Sequence, residues 1–404
     1  MTRKLRTLLF STLYPSSARP GHGIFVETRL RELLASGEVE TRVVAPVPWF
    51  FSTHPRFGEY ALIARTPAHE FHNGIEVWHP RYFLPPKIGM SSVPLFMALG
   101  ALATVRKLQR DGFDFDLIDA HYYYPDGVAA ALLAKWLDKP YVITARGTDL
   151  NLIPEHALPR KMIHWAAKGA QASIGVCAAL VDVLRGWGLP GERLLVMRNG
   201  VDLERFRPMP QQQTRAALGI SGGPVLLSVG YLIERKGHHI AIRALARLLP
   251  ALPQARLILV GDGPERQALM QLTRDLGIEA SVTFAGAQPN ADLYRWYSAA
   301  DVLVLPSSRE GWANVLLESM ACGTPVVATR IWGTPEVVAN DVAGRLVDQR
   351  DPEHFAAQIQ ALLIARPDRH GVRAYAENFS WQATTEAQLT LFRRIAGLQA
   401  APRR

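Results

Sequence analysis

The sequence predicts an α/β protein with two doubly wound domains that face each other across a cleft. The chain of 404 residues is longer than one typical domain. Short apolar runs rich in β-branched residues alternate with longer helical patterns, which is typical of parallel sheets covered by helices. These runs fall into two sets, separated by a polar segment that contains prolines and an Asn-Gly turn signal.

The strand patterns define the order of the elements. In the first half they are TLLFST, TRVVAPV, FDLIDAH and YVITARG, and in the second half PVLLSVG, RLILVGDG, SVTFAG, DVLVLPSS and TPVVAT. We place an N-terminal domain at 1–198, a linker at 199–213 and a C-terminal domain at 214–379. An amphipathic helix pattern at about 380–396 is expected to pack back on the first domain, and the tail QAAPRR is expected to fray.

Composition limits the class of protein. A net charge of +9 fits a nucleic acid, an anionic membrane or a phosphorylated substrate. We exclude nucleic acid because aromatic residues do not alternate with the basic ones as a stacking platform requires. The two cysteines, Cys177 and Cys322, cannot build a disulfide framework or a zinc site, which indicates a reducing, cytoplasmic compartment.

The N-terminus has a charged start and a short apolar run. It is interpreted as a first strand and not as a signal peptide, because the run breaks at Pro15 without an alanine-rich cleavage site. No apolar stretch reaches the roughly 18 residues that a spanning helix needs.

Two acids flank a predicted helix start in the stretch SSREGWANVLLESMACGTPVVAT. Glu310 follows a buried strand, and Glu318 lies inside the helix. The helix N-terminus between them is a natural anion site. A sugar nucleotide has the matching layout of sugar, diphosphate and ribose, although a surface acid and an arginine-paired helix acid would give the same spacing. The backbone amides of this N-terminus belong to Gly311, Trp312, Asn314 and Val315, with Ala313 between them.

Two further loops follow predicted strands of the second half. In SVGYLIERKG, Gly230 precedes a turn with Arg235 and Lys236, whose charges could neutralise a departing diphosphate. The alternative is a solvated basic loop. In VGDGPER, Gly261 and Gly263 suit close approach to a nucleotide, but such glycines often make only a tight corner.

The first half carries weaker signals. Gly21 and Gly23 form a glycine loop or a long turn, and His121 stands at a strand end, where a histidine is commonly structural. The Asp-x-Asp spacing in DFDLID is interpreted as part of a strand and not as a metal site.

The segment EGWANVLLESMACGTPVVATRIWGTPEVV closely resembles the donor-site signature of retaining family-4 glycosyltransferases, which have the GT-B fold of two Rossmann-like domains. The resemblance implies that Glu310 contacts the donor sugar hydroxyls and that Glu318 holds the nucleotide ribose. It also implies that the loop of Gly21 and Gly23 closes over the diphosphate and that His121 lies beside the sugar.

Two positions differ from that family. TARGTDLN resembles the T-x-H-G-x-D element, with Arg146 in place of the histidine and Asp149 retained, and we expect both on the acceptor side. Tyr231 replaces the usual arginine of the GRL loop, so Arg235 is expected to take over its role.

The resemblance implies transfer of a sugar, with retention, from a UDP- or GDP-sugar to a hydroxyl acceptor, without a metal ion or another cofactor. The acceptor is expected to be a glycan or a lipid-linked or growing polysaccharide intermediate. The basic surplus, the arginines of ETRLRELL and the apolar segment 80–100 suit peripheral contact with an anionic membrane, at the inner face of the plasma membrane. A sugar-nucleotide epimerase, a phosphorylase and a non-catalytic sugar-nucleotide or glycan-binding module are the alternatives.

Overall fold

A computed structural model describes residues 3–84 and 89–398. The tail 399–404, expected to fray, and positions 85–88 of the apolar segment lie outside the described residues. The chain divides into two compact units. One is Gly200–Trp381, and the other combines the residues up to Asn199 with those from Gln382 onward.

Strands lie at all nine of the predicted apolar runs, and the described residues form seven further strands. In chain order, the strands are β1 (Leu5–Phe10), β2 (Val39–Val44), β3 (Val47–Pro48), β4 (His69–His72), β5 (Ile75–Trp78), β6 (Arg81–Tyr82), β7 (Leu117–His121), β8 (Tyr141–Ala145), β9 (Ala172–Gly175), β10 (Leu194–Val196), β11 (Val225–Val229), β12 (Arg256–Val260), β13 (Val282–Gly286), β14 (Val302–Leu305), β15 (Val326–Thr329) and β16 (Gly344–Val347).

The helices occupy the segments between these strands. They are α1 (Ile24–Ala35), α2 (Glu59–Ala64), α3 (Gly89–Arg110), α4 (Val128–Leu137), α5 (Thr148–Asn151), α6 (Ala157–Gly169), α7 (Ala178–Gly186), α8 (Gln211–Ala217), α9 (His238–Leu248), α10 (Arg266–Asp275), α11 (Leu293–Ala299), α12 (Asn314–Ala321), α13 (Thr334–Val337), α14 (Pro352–Ala365), α15 (Arg369–Glu377) and α16 (Trp381–Ile395). Of the helices in the described ranges, none is both long enough and apolar enough to cross a membrane.

The first unit is built on a sheet whose described strands run in the order β10-β9-β8-β7-β1-β2-β5-β4. β1, the first strand of the chain, lies inside this sheet and pairs in parallel with β2 and β7. The C-terminal helix α16 belongs to the same unit, because Leu389, Leu391 and Phe392 share a core with Leu5 of β1 and Val142 of β8. Burial of each such side chain stabilises the unit by about 1.5–3 kcal/mol.

The second unit contains a parallel sheet in the order β13-β12-β11-β14-β15-β16. Its core packs Ile242 and Leu245 of α9 against Leu226, Leu257 and Val304 of the central strands. β11 and β14 are buried throughout, as expected of a parallel sheet with helices on its faces. The α/β prediction is therefore confirmed for both units.

One edge of the first sheet departs from the all-parallel expectation. β4 pairs antiparallel with β5, His72 opposite Ile75. The two residues between the strands are Asn73 and Gly74, with φ of 50° and 79°. Positive φ at both positions is what a two-residue hairpin turn requires, so this Asn-Gly was a readable signal for the hairpin.

The expectation that the arginines of ETRLRELL face a membrane is wrong for Arg29. Its side chain is 2% exposed. The guanidinium donates to Gln388 Oε1 at 2.9 Å and to the carbonyl of Met197 at 3.2 Å. Burial lowers the pKa of Arg29 to about 10, so this arginine is part of the structural interior of the first unit.

Candidate active site

In the second unit, the predicted donor residues lie on loops that follow neighbouring strands. Gly230 follows β11, Gly261 follows β12, and Glu310 follows β14 by a few residues. These strands are adjacent and parallel, so their carboxyl ends lie at one edge of the sheet. Open α/β sheets bind ligands at this edge.

The glycines allow two of these loops to touch through their backbones. Gly261 has a φ of 144°, and a Cβ on it would lie 1.9 Å from the carbonyl oxygen of Gly230. A Cβ on Gly263, at φ 157°, would lie 2.6 Å from the carbonyl oxygen of Leu232. Both positions therefore need glycine for packing alone, which is sufficient reason for the VGDG sequence without a ligand.

Lys236 and Glu310 form the centre of the site. The Lys236 ammonium donates to Glu310 Oε1 at 2.6 Å, and the Ser307 hydroxyl donates to the same oxygen at 2.7 Å. Arg235 approaches Glu310 Oε2 to 3.8 Å and donates to the carbonyl of Arg309 at 2.8 Å. The structure thus brings together three residues that the sequence predicted separately, and it adds Ser307, which the sequence did not single out.

The position of Lys236 depends on the next residue. Gly237 has a φ of 73°, and a Cβ there would lie 2.0 Å from the carbonyl oxygen of Pro306. The glycine therefore lets the basic turn lie directly on the chain that leaves β14. This contact places the ammonium over the carboxylate of Glu310.

The Glu310 carboxyl group is ionised in this environment. Its residue is 8% exposed, and burial alone would raise its pKa. The charge and hydrogen bond of Lys236, the Ser307 hydroxyl and Arg235 outweigh burial, so the pKa of Glu310 is lowered below its usual value. Two cations facing one carboxylate leave net positive charge at the sheet edge, which suits binding of an anion.

Helix α12 begins four residues after Glu310. The backbone amide of its first residue, Asn314, donates to the carbonyl of Trp312 at 3.1 Å. This amide, one of those predicted to bind an anion, therefore already has an acceptor within the protein. Gly311 and Val315 are partly exposed. The macrodipole of the eight-residue helix places partial positive charge at this end, next to the Lys236 and Glu310 pair.

Trp312 is a buried residue and not an open platform. Its side chain is 7% exposed, and its ring centroid lies 6.2 Å from that of Phe379. Its indole Nε1 is buried and has no hydrogen-bond acceptor among residues 3–84 and 89–398. An unpaired buried donor is costly in a folded protein.

Glu318 lies in α12 and is partly buried. The Tyr297 hydroxyl of α11 donates to Glu318 Oε2 at 2.7 Å. Burial raises the pKa of Glu318 to about 7, although this hydrogen bond and the charge of Arg205 oppose the rise. Glu310 and Glu318 therefore differ in protonation, because Glu310 is held ionised and Glu318 titrates near neutral pH. Tyr297 had no signal in the sequence.

In the first unit, His121 ends β7 and Arg146 directly follows the adjacent strand β8. The Arg146 guanidinium donates to His121 Nδ1 and, at 3.0 Å, to Asn199 Oδ1. Because arginine only donates, His121 carries its proton on Nε2, which lies 3.2 Å from Asp119 Oδ2. A sugar hydroxyl reaches a ring nitrogen of His121 only if one of these two bonds is given up.

His121 is neutral over the physiological pH range. Burial is the main cause that lowers its pKa to about 4, and the charge of Arg146 adds to it, against the opposing effect of Asp119. Burial also lowers the pKa of Arg146 well below its usual value. His121 is 1% exposed and Arg146 is 9% exposed, so both residues are buried at the carboxyl ends of their strands.

Asp149 shapes the loop after β8. Its carboxylate accepts backbone amides of Gly147 at 2.7 Å, Tyr123 at 2.8 Å and Arg146 at 3.1 Å. Burial raises its pKa, while these amides oppose the rise. The side chain is fully buried. Its contacts hold the loop that presents Arg146 and leave the carboxylate facing the protein interior.

The two glycines of the first loop differ in their constraints. Gly23, at φ 70°, would place a Cβ 2.4 Å from the backbone of Leu13, so the start of α1 requires glycine there. A Cβ on Gly21 meets no atom within 4 Å. Gly21 therefore has no packing reason to be glycine, and its backbone borders open space.

No group of three or more histidine, cysteine, aspartate or glutamate side chains that could hold a metal ion occurs in the described part of the chain. Within DFDLID, Asp116 accepts from Arg3 at 2.5 Å and from the backbone amide of Arg6 at 2.9 Å. Asp119, the third acid of this segment, accepts the hydrogen bond from His121 Nε2.

Comparison with known proteins assigns the chain to a family. Residues 210–379 match the family described as Glycosyl transferases group 1, and residues 21–205 match Glycosyltransferase Family 4. The D-inositol 3-phosphate glycosyltransferase of Saccharomonospora viridis is 32% identical over 355 residues, which cover 81% of this chain and 81% of that protein. The chain belongs to the family-4 glycosyltransferases. The predicted family is thereby confirmed.

Solved structures give the fold of this glycosyltransferase. Sucrose-phosphate synthase from Thermosynechococcus elongatus superposes with a TM-score of 0.78 at 22% identity, covering 98% of this chain and 100% of that one. Anabaena Alr3699/HepE in complex with UDP-glucose gives a TM-score of 0.69 at 22% identity, covering 97% and 98%. The protein therefore has the GT-B fold, as predicted.

The glycosyltransferase belongs to a class that takes its sugar from a nucleotide-sugar donor. Lys236, Glu310 and Glu318 all lie within the part that matches group 1. His121 and Arg146 lie within the part that matches Family 4, as do Gly21 and Gly23. Both clusters of candidate residues are thus inside the matched regions.

Proposed function

We propose that this glycosyltransferase transfers a hexose-type sugar from a UDP- or GDP-sugar to a hydroxyl acceptor, with retention of the anomeric configuration and without a metal ion. The observation that carries the proposal is the cluster of Lys236, Arg235 and Glu310 at the carboxyl edge of the second sheet. Its net positive charge lies beside the N-terminus of α12, and the two together would stabilise a bound diphosphate.

In the proposed reaction, the bond between the anomeric carbon and the diphosphate oxygen breaks, and the acceptor oxygen bonds to the same face of that carbon. The acceptor proton passes to the departing diphosphate. Lys236, Arg235 and the amides of Gly311 and Val315 stabilise the negative charge that develops on the leaving group. Two side-chain cations supply the positive charge that a divalent metal supplies in other phosphate-transferring sites.

Glu310 is proposed to orient the sugar and not to attack it. Its Oε1 already accepts hydrogen bonds from Lys236 and Ser307. A carboxylate held in this way is a weaker nucleophile than a free one, because attack would break both bonds. Its second oxygen, 3.8 Å from Arg235, is the one proposed to accept a sugar hydroxyl.

Glu318 is proposed to accept hydrogen bonds from the ribose hydroxyls. Glu310 precedes the N-terminus of α12 and Glu318 lies within the helix, an order along the chain that supports the order of sugar, diphosphate and ribose. In the first unit, Gly21 is proposed to border the diphosphate and the Arg146 and His121 pair to border the sugar or the acceptor.

We propose that the acceptor is a lipid-linked or growing polysaccharide intermediate, met in the cytoplasm at the inner face of the plasma membrane. The excess of basic residues supports an anionic partner. Exposed apolar residues of the first unit support a partner with a lipid component.

The test is a thermal-shift and nucleotide-release screen over UDP-, GDP- and ADP-sugars with the parent, Glu310→Ala and Lys236→Ala. Arg247→Ala is the matched control, because it removes a cation from an exposed ion pair with Glu353 in the same unit. We expect both site variants to lose donor-induced stabilisation and turnover, and the control to keep them. Unchanged donor binding and turnover in both site variants would overturn the assignment.

The same screen separates the alternatives. Release of nucleoside diphosphate that depends on an added acceptor excludes an epimerase, and the NMR coupling constant of the product's anomeric proton decides retention. Phosphate-dependent cleavage of a glycan would indicate a phosphorylase. Tight donor binding without turnover against any acceptor would favour a non-catalytic binding module.

A further inference from the structure

A cluster of aromatic side chains lies on the surface of the first unit. Trp49 is 55% exposed, Phe51 66% and Tyr60 54%. Phe50 stacks on Tyr60 with 5.2 Å between ring centroids and lies 4.5 Å from Phe51. Phe57 packs 5.4 Å from Phe50 and 5.2 Å from Phe51. Contiguous exposed apolar surface of this kind marks an interaction site.

This cluster lies at the same sheet edge as His121. It follows β3, which begins just beyond the carboxyl end of β2, and the Trp49 amide donates to the carbonyl of Tyr82 at 2.8 Å. At the end of β1, the Ser11 amide donates to the carbonyl of Val44, and its hydroxyl donates to the carbonyl of His121 at 3.0 Å. The ends of β1, β2 and β7 therefore lie together.

Helix α3 extends the apolar surface. Its inward face is buried at Val93 and Met97, as in any packed helix. Its outward face is apolar as well, with Met90 52%, Leu95 46% and Leu99 50% exposed. An apolar outer face on the N-terminal part of a helix whose inner face is already buried is typical of a helix that meets a second apolar environment.

Phe83 lies near both parts, because it follows Tyr82, whose carbonyl accepts from the Trp49 amide. It is 53% exposed and follows Tyr82 at the end of β6, and its ring lies 5.7 Å from that of Phe96 in α3. We call the combined surface the aromatic face. It consists of the aromatic rings within 49–60, Phe83, and the outward side chains Met90, Leu95 and Leu99 of α3.

The charges that flank the aromatic face are mainly positive. Segments 49–65 and 89–111 contain two carboxylates, Glu59 and Asp111, and Asp111 pairs with Lys107 at 2.7 Å. Arg56 lies 4.6 Å over the ring of Phe57, inside the aromatic cluster. The cations of these segments are Arg56, Arg65, Arg106, Lys107 and Arg110.

We propose that the aromatic face docks on the surface of an anionic lipid bilayer. Tryptophan, tyrosine and phenylalanine favour the boundary between headgroups and acyl chains, and nearby lysine and arginine side chains are attracted to anionic lipid. Leu95 and Leu99 would enter the boundary as part of a helix lying in its plane. A protein partner with an uncharged surface would gain nothing from the flanking cations.

Docking at this edge places the acceptor-side residues of the first unit next to the membrane surface. That consequence rests on the proposed function, because it identifies the acceptor as lipid-linked. The docking itself does not depend on it and is measured without donor or acceptor.

The test is flotation of the full-length protein with vesicles of pure phosphatidylcholine and of phosphatidylcholine with 30% phosphatidylglycerol, at low and at 0.5 M salt. The variants are Phe51→Ser with Tyr60→Ser, and Leu95→Ser with Leu99→Ser. The matched control is Ile364→Ser, which removes an aliphatic side chain that is 76% exposed in the second unit. Circular dichroism and the melting temperature show that each variant folds.

We expect flotation with the anionic vesicles only, reversed by salt, a loss of about tenfold or more in partitioning for each double variant, and no change for the control. Absence of flotation at low salt, or equal flotation of parent and double variants, would overturn the proposal. Equal flotation with neutral vesicles would overturn its electrostatic part. Self-association of the parent that the double variants lose would show that the face binds a second copy instead.

Discussion

Lys236 and Glu310, 74 residues apart in the sequence, form an ion pair at 2.6 Å in which the side chains are only 15% and 9% exposed. Because water hardly reaches this pair, the stability of the fold depends on both partners. Removal of one partner leaves the other as a buried charge without its main counter-charge. Loss of either partner is therefore expected to lower stability and, in the proposed reaction, turnover as well.

Lys236→Met is expected to lower the free energy of unfolding by about 3 kcal/mol, because it leaves the Glu310 carboxylate buried beside Ser307 with a weaker cationic partner. Turnover is expected to fall by about 100-fold or more, since the cation proposed to face the leaving group is lost. Urea denaturation and steady-state kinetics measure the two effects. The double variant Lys236→Met with Glu310→Gln should recover most of the stability and none of the activity. Recovery of activity would contradict the proposed role of the charge.

The pKa of Glu318 predicts a pH dependence of stability. The folded value, about 7, lies above the unfolded value of 4.5, so the folded state binds the proton more tightly. Stability is therefore greatest below pH 4.5 as far as this group is concerned, and its contribution is lost as pH rises to about 7. The full effect is at most about 3 kcal/mol.

Glu318→Gln tests this assignment, because glutamine mimics the protonated acid and keeps an acceptor for the Tyr297 hydroxyl. We expect the variant and the parent to have similar stability near pH 4.5 and the variant to be more stable at pH 8, measured by urea denaturation at each pH. Nucleotide affinity at pH 8 should fall in the variant, because an amide accepts fewer ribose hydroxyls than a carboxylate. Parallel pH profiles of the two proteins would refute the assignment.

The sequence was enough to predict β11, β12 and β14, and hence the sheet edge that carries Gly230, Gly261 and Glu310, because parallel strands end together. Which side chains meet there depends on loop conformations that no local pattern encodes. Lys236 reaches Glu310 because Gly237 lies against the carbonyl of Pro306, a contact between separate strand exits.

Partners on other elements were beyond the sequence for the same reason. Tyr297 gives no local signal that its hydroxyl meets Glu318. Asn199, interpreted as the start of the linker, accepts from Arg146, 53 residues earlier. Burial is likewise a tertiary property, so His121 could be placed at its strand end while its fully engaged ring could not be foreseen.

Gly261→Ala is expected to separate the loops after β11 and β12. The new methyl group would overlap the carbonyl of Gly230, so the backbone must shift and stability should fall by about 2 kcal/mol or more. Donor affinity should fall with it, since both loops border the proposed donor site. Gly277→Ala is the control, because that position also has positive φ, 65°, but no atom lies within 4 Å. It should lose only about 1 kcal/mol and keep donor affinity. Equal effects at the two positions would show that backbone strain alone matters.

Arg146→Gln should release His121. The guanidinium donates to His121 Nδ1 and its charge contributes to the low pKa of the ring, so the variant is expected to have a His121 pKa above about 4. In the parent, His121 lowers the free energy of unfolding as pH falls from 6.5 towards 4, because the unfolded state takes up the proton first. The pH interval over which this loss occurs should be narrower in the variant, because its folded pKa is closer to 6.5. Loss of the donor to Asn199 should lower stability by about 1–3 kcal/mol.

Titration of the histidine ring signals by NMR measures the shift, with His121→Gln used to assign the resonance and Arg247→Gln as an exposed-arginine control. Turnover should fall in Arg146→Gln while binding of nucleoside diphosphate is retained, because the proposed diphosphate contacts of Lys236 lie in the other unit. An unchanged His121 titration would mean that burial alone sets its pKa, and Arg146 would then be confined to holding Asn199.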